Sequence, residues 1–324
     1  MKIDYLRRKH YNMDMFPTTA DINLINSTHI ECVCLLVRKR VSLIGGEVFM
    51  RDDWSLIVKT LTDRKVSVAV ISNGFLISEK ILSELKRVNV ESVAISLDGP
   101  QEIHDKFRCE GSFSRAIKAI DRLSESSIPV SVISTLHSLN VPQLEEMYKV
   151  LKDKNIFAWQ LQACSPMGNA RQQDFSVDID FNEVISFVEK HKDNEDFIIG
   201  IADNIGYYTE TEGYLRGNRN GNGPFIGCSA GLTNIGIDSV GNVRGCEAMY
   251  DDCFIEGNLT EQSLYEIWNN PDAFSYNRNF TCNNLTGRCA ECKYSTKCAG
   301  GCRSYNYFSH GKMYESPRCV QKYK

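Results

Sequence analysis

The chain has 324 residues, 42% of them hydrophobic, which is enough for one large domain or two average ones with a proper core. Its net charge of -4 and its pI near 5.9 argue against nucleic-acid and anionic-membrane partners, because both select a basic excess. No run reaches the roughly 18 apolar residues of a membrane span, and no apolar run follows the N-terminal positive charges as in a secretory signal. We therefore expect a cytoplasmic protein without a membrane or nucleic-acid partner.

Short β-branched runs alternate with helical patterns in the first two thirds of the chain. Each run has the length of a buried parallel strand, and amphipathic stripes follow caps at Ser78, at Ser112 or Ser114, and at Pro142. Repeated β-α units with right-handed crossovers predict a parallel sheet, either open or curled into a full or partial barrel. The predicted strands cover 41–44, 66–71, 93–97, 130–135, 157–162 and 197–201.

Glycines and polar residues follow several of these runs, at the positions where the predicted strands end. In parallel α/β folds the chemistry is done at that edge of the sheet. One such end alone is typical of a tight βα turn, but several on one sheet predict a pocket for a small polar ligand. The residues are Gly45, Gly46 and Glu47 after the first run, 72–74 after the second, 96–99 at the third, and Gln160, Gln162, Pro166, Gly168 and Arg171 in and after the fifth.

Of the 13 cysteines, most lie after residue 227. In a reducing cytosol such crowding indicates metal or iron-sulfur ligands rather than disulfides. A zinc ribbon uses four thiolates, whereas two [4Fe-4S] clusters need about eight, or about seven with one iron open. The count favours two clusters, with a zinc-stabilised binding domain as a further alternative. The regularly spaced cysteines are Cys228, Cys246, Cys289, Cys292, Cys298, Cys302 and Cys319.

Turn residues near these cysteines predict a backbone shaped around a cofactor. Segment 238–243 is predicted to form a hairpin that brings Cys228 and Cys246 together, and the glycines of 299–301 let the backbone wrap close to a cluster. The helix predicted over 263–268 is assigned to packing. The segment 203–227 is rich in Gly and Asn and is predicted to be a linker or surface loop.

The array C-x12-G-x4-C, gap, C-x2-C-x5-C-x3-C, gap, C resembles the SPASM domain of radical S-adenosylmethionine (SAM) enzymes. The sequences 257–258 and 267–268 match its usual G-N and I-W elements, and 45–47, 72–74 and 96–108 resemble the family's SAM amine-binding, T-N-G and S-L-D-G segments. The resemblance implies an α/β fold: a partial (β/α)6 TIM-like barrel with a truncated N-terminal strand, followed by a small cysteine-rich SPASM iron-sulfur domain. The implied parts are a degenerate radical SAM barrel over 1–202, a linker over 203–227 and the SPASM domain over 228–324.

The resemblance also implies cofactors and site residues. SAM contacts would fall on Gly46, Glu47, Ser96 and Arg108. Glu247 stands where sulfatase-maturing relatives have an acidic general base, with a solvated loop acid as the alternative. Two auxiliary [4Fe-4S] clusters are implied, the first held by Cys228, Cys246 and Cys302, the second by Cys289, Cys292, Cys298 and Cys319. Some relatives complete the first cluster with a further cysteine; this chain has Asn234 there, so that iron is open or is reached by Cys253 or Cys282.

The family's defining C-x3-C-x2-C motif, which binds the cluster that cleaves SAM, is absent from this sequence. Residues 4–12 resemble the letters between its ligands, but the aligned ligand positions hold Asp4, Arg8 and Tyr11. Only residues 1–3 are left for the family's first strand. A truncated or miscalled reading frame and a true pseudoenzyme both explain these features.

The remaining cysteines and histidines are expected to have structural roles. Cys32 and Cys34, at C-x-C spacing, do not replace a three-cysteine loop and are expected to be buried, as are the lone Cys109 and Cys164. His10 and His104 are expected to be hydrogen-bonded or surface residues rather than ligands.

Two functions follow from the resemblance. The first is a maturase that modifies ribosomally made peptides or proteins through a 5'-deoxyadenosyl radical, with a peptide substrate and an electron donor as partners; without the motif, this chain is expected to be a truncated or inactive form. The second is a non-catalytic iron-sulfur pseudoenzyme that binds a peptide or a partner subunit.

Overall fold

The structure is a computed structural model in which residues 31–35, 40–168, 170, 179–193, 196–202, 204–205, 211–216, 225 and 227–323 are described. Their contacts group them into two compact units. The first unit holds the described residues up to Ser72, then Ser78–Val93 and Ser229–Phe280. The second holds Asn73–Ile77, Ala94–Cys228 and those from Thr281 onward.

Strands are found throughout the described part of the chain. They are β1 (Glu31–Leu35), β2 (Arg40–Ile44), β3 (Ser67–Ser72), β4 (Ser92–Ser96), β5 (Val130–Leu136), β6 (Ala158–Ala163), β7 (Ile198–Ile201), β8 (Asn234–Ile237), β9 (Asn242–Arg244) and β10 (Gly257–Asn258).

The α-helices are mostly short. They are α1 (Trp54–Asp63), α2 (Glu79–Arg87), α3 (Gln101–Phe107), α4 (Ser112–Glu125), α5 (Leu144–Leu151), α6 (Phe181–Lys190), α7 (Glu212–Leu215), α8 (Leu264–Asn269), α9 (Ser275–Arg278), α10 (Gly287–Ala290), α11 (Ser295–Cys298) and α12 (Arg303–His310).

The first unit contains a sheet in which the strands follow the order β10-β9-β8-β1-β2-β3. β1 is antiparallel to β2 and β8, whereas β2 and β3 are parallel, with Val41 opposite Val68 and Leu43 opposite Val70. These four side chains are at most 1% exposed, and α1 contacts β3. Each buried aliphatic side chain of this kind contributes about 1.5–3 kcal/mol to folding.

The second unit contains the parallel strands β5, β6 and β7 in that order. Trp159 of β6 is fully buried; its ring meets Phe187 of α6 edge-on at 5.6 Å between centroids, and its Nε1 donates to Ser134 Oγ at 2.9 Å. A buried indole N–H needs such a partner, so the hydroxyl on β5 fixes the position of the ring.

The predicted hairpin over 238–243 is confirmed as β8 and β9. Asp238 closes its turn, because Oδ1 accepts the backbone N–H groups of Val240 at 3.0 Å and Asn242 at 2.9 Å. The helix predicted at 263–268 is confirmed as α8, which begins with a capping box between Ser263 and Glu266.

The six predicted strands are confirmed as β2 to β7, with bounds that differ by one residue at most ends. The predicted cap at Ser78 is confirmed, since its Oγ accepts from Ile81 N at 3.4 Å. The cap predicted at Ser112 or Ser114 is wrong, because α4 begins at Ser112 with Gly111 as its N-cap, where the left-handed backbone suits glycine. Pro142 lies in a 3-10 turn that leads into α5.

Not every expectation about the remaining cysteines holds. Cys164 is buried as predicted, but Cys109 is exposed, because it follows the last turn of α3 on the way to α4; the packing interpretation is wrong for it. Cys32 and Cys34 lie in β1, and their burial stays a prediction. Residues 1–12, with Asp4, Arg8, Tyr11 and His10, and also Arg171, lie outside the described residues.

Candidate functional site

The residues 45–47 follow β2 directly, as the sequence predicts for a strand-end site. Gly45 has a φ of +133°, which favours glycine, and a Cβ on Gly46 would meet nothing within 4 Å. The Glu47 side chain is buried, and both of its oxygens accept from Ser72 Oγ at the end of β3, at 2.9 and 3.0 Å. The carboxylate is therefore fixed across two strand ends, while the backbone beside it stays open.

In the second unit, Asp98 organises the segment after β4. Its side chain is fully buried, Oδ2 accepts from Arg108 Nε at 2.5 Å, and Oδ1 accepts from Thr135 N at 2.8 Å. Arg108 is 30% exposed, so its guanidinium is anchored at one end and open to a ligand at the other. Ser96, the last residue of β4, is half-buried. Asp98 therefore fixes one predicted SAM contact, Arg108, and follows another, Ser96, by two residues in the chain.

Two histidines support this edge of the second unit. His104 is buried and its Nδ1 accepts from Asp98 N at 3.0 Å, so it is hydrogen-bonded as expected and does not lie at the surface. His137 is buried after β5 and stacks on Phe107 at 4.6 Å. Burial lowers the pKa of both imidazoles, that of His137 to about 4. Both rings are therefore neutral at pH 7 and pack as hydrogen-bonding aromatic groups.

Asn140 joins the same strand ends and was not singled out from the sequence. Its Nδ2 donates to the carbonyls of Asp98 at 2.6 Å and Thr135 at 2.8 Å, and its Oδ1 accepts from His137 N at 2.8 Å. A buried Asn that satisfies two strand ends holds them in register. The sequence indicates this role of Asn140 only through its position, four residues after the end of β5.

Six of the seven regularly spaced cysteines lie in the second unit: Cys228, Cys289, Cys292, Cys298, Cys302 and Cys319. Cys298 is buried and packs against Phe225, with Tyr294, Cys302 and Cys319 beside them. The aromatic side chains exclude water from the thiols, which is the environment in which metal-bound thiolates are stable. Phe225 and Tyr294 were not singled out from the sequence.

Backbone N–H groups point at three of these sulfur atoms. Cys289 Sγ accepts from Ser316 N at 3.4 Å, Cys292 Sγ from Tyr294 N at 3.4 Å, and Cys302 Sγ from Tyr305 N at 3.5 Å. N–H donors to sulfur stabilise thiolate over thiol and are a regular part of iron-sulfur sites. These contacts fit thiolates bound to a cluster.

Burial and mutual repulsion disfavour thiolates here unless a cation is bound. Burial raises the pKa of Cys298 far above its usual range, and the nearby Cys319 and Cys289 raise it further. Burial also raises the pKa of Cys319, to about 11, and the charges of Cys289 and Cys292 add to the rise. Cys289, Cys292, Cys298 and Cys319 therefore influence one another electrostatically. A bound iron cluster would supply the positive charge that four adjacent thiolates need.

The turn between Cys298 and Cys302 has an unusual backbone. Ala299, Gly300 and Gly301 all have positive φ, at 53°, 79° and 78°. Gly227 (φ 96°) comes close to this turn, since a Cβ on it would lie 3.2 Å from the carbonyl oxygen of Cys298. The turn predicted to wrap closely is present, and Gly227 brings Cys228 next to it.

Cys246 and Glu247 lie in the first unit, after β9. Cys246 Sγ donates to Glu247 Oε2 at 3.2 Å, and Glu247 is half-buried. A Cβ on Gly236 of β8 would lie 2.5 Å from Glu247 N, so only glycine allows this approach. Glu247 also lines a small, partly open cavity with room for about one water molecule, together with Gly236, Ile237, Asp238, Arg244 and Tyr250.

The cysteines considered as a fourth ligand of the first cluster, Cys253 and Cys282, are both exposed. Asn234, at the place of the family's further cysteine, donates from Nδ2 to Ser229 Oγ at 2.9 Å. Within the described ranges, no three His, Cys, Asp or Glu side chains converge on a point that would hold a single metal ion. A [4Fe-4S] cluster spreads its thiolates farther apart, because each thiolate binds a different iron.

The predicted linker contains a helix that sequence reasoning missed. In α7, Glu212 and Leu215 are at most 4% exposed, and Glu212 pairs with Arg216 at 2.8 Å. The Arg216 guanidinium lies 4.9 Å from the centre of the Phe225 ring that packs on Cys298. At least this part of 203–227 is therefore packed rather than a free loop.

Two family models match the chain. The Radical SAM superfamily matches residues 36–151, and an iron-sulfur cluster-binding domain, SPASM, matches residues 228–293. The chain therefore combines a radical SAM region with a SPASM domain. The residues described above at the ends of β2 to β4 lie in the radical SAM part, and Cys246 and Glu247 lie in the SPASM part.

Curated relatives with different activities resemble the chain. The AdoMet-dependent heme synthase of Methanosarcina barkeri is 26% identical over 298 residues, covering 86% of this chain and 82% of the relative. The mycofactocin maturase MftC of Mycobacterium ulcerans is 27% identical over 292 residues, covering 87% and 75%.

Solved structures confirm the radical SAM/SPASM fold. Streptococcus suis SuiB has a TM-score of 0.67 at 16% identity, covering 92% of this chain and 70% of SuiB. SuiB bound to the precursor peptide SuiA has a TM-score of 0.63 at 16% identity, covering 93% and 68%. The predicted α/β class, with a partial barrel and a SPASM domain, is therefore confirmed. No helix of the described residues is long and apolar enough to cross a membrane.

Proposed function

We propose that this chain is a radical SAM/SPASM protein of the peptide-maturase type that holds two auxiliary [4Fe-4S] clusters and binds a peptide or protein substrate. The observation that supports this best is the set Cys289, Cys292, Cys298 and Cys319. These thiols influence one another electrostatically, two accept backbone N–H groups, and Cys298 is packed beneath Phe225. Such a set is suited to a cluster and has no other evident use.

The proposed ligand sets follow the family pattern. Cys289, Cys292, Cys298 and Cys319 hold the second cluster, and Cys228, Cys246 and Cys302 the first. Once Cys246 is a bound thiolate it no longer donates to Glu247, so that carboxylate is released beside the cavity. Glu247 is then placed to accept a proton from a substrate, which is the role of a general base. When bound, the clusters supply electron transfer or substrate ligation.

The proposed SAM contacts are the residues at the strand ends. The backbone at Gly45 and Gly46 is open to the amino group of SAM, and the buried carboxylate of Glu47 keeps that loop in place. Arg108, anchored by Asp98, offers its exposed guanidinium, and Ser96 a hydroxyl. These groups bind and orient a polar ligand without a metal.

Peptide is the preferred substrate class, although the heme synthases show that the same fold serves a different substrate. MftC is a maturase by name, and SuiB has been seen with its precursor peptide. We extend the peptide assignment to this chain because MftC and SuiB both match it over most of its length.

A second candidate is an iron-sulfur pseudoenzyme that binds a peptide or partner subunit without chemistry. The observation that favours it is the absence of C-x3-C-x2-C from the 324 residues. Without that motif, SAM lacks the iron that cleaves it, while the seven regularly spaced cysteines are present.

Anaerobic reconstitution of the full chain tests both candidates. We expect about eight irons and about eight sulfides per chain, as two [4Fe-4S] clusters require. Addition of SAM, dithionite and candidate peptides then distinguishes the two, because 5'-deoxyadenosine formation supports a maturase and its absence supports a pseudoenzyme. About twelve irons would mean that a third cluster has other ligands. Zinc in place of iron would refute both candidates, and turnover of a porphyrin but no peptide would refute the peptide assignment.

The ligand set of the second cluster is tested by Cys319→Ser. Removal of this half-buried thiol should lower the iron content from about eight to about four. Cys109→Ser is the matched control, since Cys109 is exposed and lies outside the array. Equal iron in both variants would show that Cys319 is not a ligand.

A further inference from the structure

Arg303 is a cation buried among the SPASM cysteines. It follows Cys302 directly as the first residue of α12, and only 1% of it is exposed. Few arginines are buried to this degree, because removal of a permanent charge from water costs several kcal/mol unless an anion compensates it. The groups around Arg303 therefore indicate what compensates its charge.

Three contacts with uncharged groups orient the guanidinium of Arg303. Nη1 donates to the carbonyl of Ala299 at 2.6 Å and to that of Met313 at 3.4 Å, and the guanidinium lies 4.7 Å from the centre of the Tyr314 ring. Ala299 belongs to the turn between Cys298 and Cys302. The same contacts that hold the cation thus tie it to that turn.

Arg303 lies beside two of the proposed sulfur ligands. Cys302 directly precedes it, and the Ala299 carbonyl that accepts from its Nη1 belongs to the residue directly after Cys298. Burial lowers the pKa of Arg303, and the charges of Cys228, Tyr314, Cys302 and Cys298 oppose this. Arg303 is thus held next to Cys302, which is assigned to the first cluster, and is bonded to the turn after Cys298, which is assigned to the second.

A cluster bound by thiolates is anionic and gains one more negative charge when it takes up an electron. A fixed cation nearby stabilises the reduced form more than the oxidised form and so raises the reduction potential. The effect is strong where water does not screen it, as at a residue that is 1% exposed.

We propose that Arg303 is the counter-charge of the auxiliary clusters and sets their reduction potentials, with the larger effect on the first cluster. This rests on the proposed function in one respect, namely that the clusters are bound at these cysteines. Arg303 is a positioning and tuning residue and not a ligand, since guanidinium has no free acceptor.

Iron and sulfide are first measured in the reconstituted full chain. The test is then a potentiometric titration monitored by electron paramagnetic resonance. Arg303→Met removes the charge and keeps much of the side-chain volume. Arg303→Met should lower the equilibrium constant for one-electron reduction of the cluster at least tenfold, which corresponds to a fall of about 59 mV in the reduction potential. Arg303→Lys keeps the charge and should stay close to the wild-type potential. Arg288→Met is the control, because Arg288 is exposed beside Cys289 and water screens it.

Each outcome decides a different point. Full iron in Arg303→Met with an unchanged potential would overturn the inference. If Arg303→Met binds no iron, the Arg303→Lys variant becomes the decisive one. Iron binding by Arg303→Lys with the wild-type reduction potential supports a role for the charge. Failure of Arg303→Lys to bind iron shows that Arg303 acts through its shape or hydrogen bonds alone and overturns the inference. A wild-type chain that binds no iron refutes the proposed function instead, so the two failures are distinguishable.

Discussion

Asp98→Asn tests whether the buried carboxylate after β4 holds the second unit's strand ends and Arg108 in place. The Asp98 side chain is fully buried, pairs with Arg108 at 2.5 Å and accepts from Thr135 N at 2.8 Å. Asparagine keeps the oxygen that accepts from Thr135, but it loses the charge that pairs with Arg108. The variant therefore isolates the ion pair.

The expected loss of stability is about 3 kcal/mol. Removal of one partner of a buried pair costs about 3–5 kcal/mol, and we take the lower end because Arg108 is 30% exposed and reaches water. Asp63→Asn is the matched control: its pair with Lys59 at 2.8 Å is of the exposed i,i+4 type, worth about 0.5 kcal/mol.

Thermal unfolding of the reconstituted protein measures the difference. At about 2.1 cal/mol/K per residue, a chain of 324 residues that unfolds as a whole has an unfolding entropy near 0.7 kcal/mol/K. The Tm should therefore fall by about 4 °C in Asp98→Asn and by under about 1 °C in Asp63→Asn. Calorimetric titration with SAM gives a second readout, because Arg108 is a proposed SAM contact: Kd should rise about tenfold, or about 1.4 kcal/mol, only in Asp98→Asn. Equal Tm shifts in both variants, or an unchanged SAM affinity in Asp98→Asn, would refute this reasoning.

Two further predictions concern pH and the first cluster. Because burial lowers the pKa of His137 to about 4, below its value in the unfolded chain, its contribution to stability is complete above about pH 6.5 and is lost as the pH falls towards 4. Urea unfolding of the wild type should therefore show a loss of about 2 kcal/mol in the free energy of unfolding between pH 7 and pH 5. In His137→Asn, whose side-chain oxygen can still accept from Leu139 N, this free energy should depend less on pH. Parallel pH curves for the two proteins would contradict the prediction. Gly236→Ala places a Cβ 2.5 Å from Glu247 N and should displace the Cys246–Glu247 segment, so the iron content should fall from about eight to about four per chain. Gly213→Ala is the control and should keep all its iron, because a Cβ there meets nothing within 4 Å. Full iron in Gly236→Ala would show that the close contact between β8 and Glu247 does not matter for cluster binding.

Local sequence patterns were sufficient to predict the strands and the cap at Ser78. The β-branched runs of β2 to β7 have the length and burial of parallel strands, and Ser78 caps α2, because strand propensity and capping depend on near neighbours. The spacing of the cysteines likewise indicates a SPASM domain from the sequence alone, since the ligands of one cluster recur at set intervals along the chain.

Contacts between distant parts of the chain were not predictable in this way. The exposure of Cys109 depends on the path from α3 to α4, and the packing of Phe225 on Cys298 joins residues that are far apart in the sequence. The predicted linker contains a buried Glu212 because Arg216 pairs with it, which composition alone does not reveal.

The sequence by itself determined the α/β class, the polar strand ends proposed as SAM contacts and the seven cysteines. These depend on residue type and spacing. Only the tertiary structure decided which groups surround those cysteines: the N–H donors to sulfur, the aromatic cover of Phe225 and Tyr294, and the buried cation Arg303. The physical reason is that burial, and with it the strength of every charge near the thiols, is a property of packing between segments far apart in the chain.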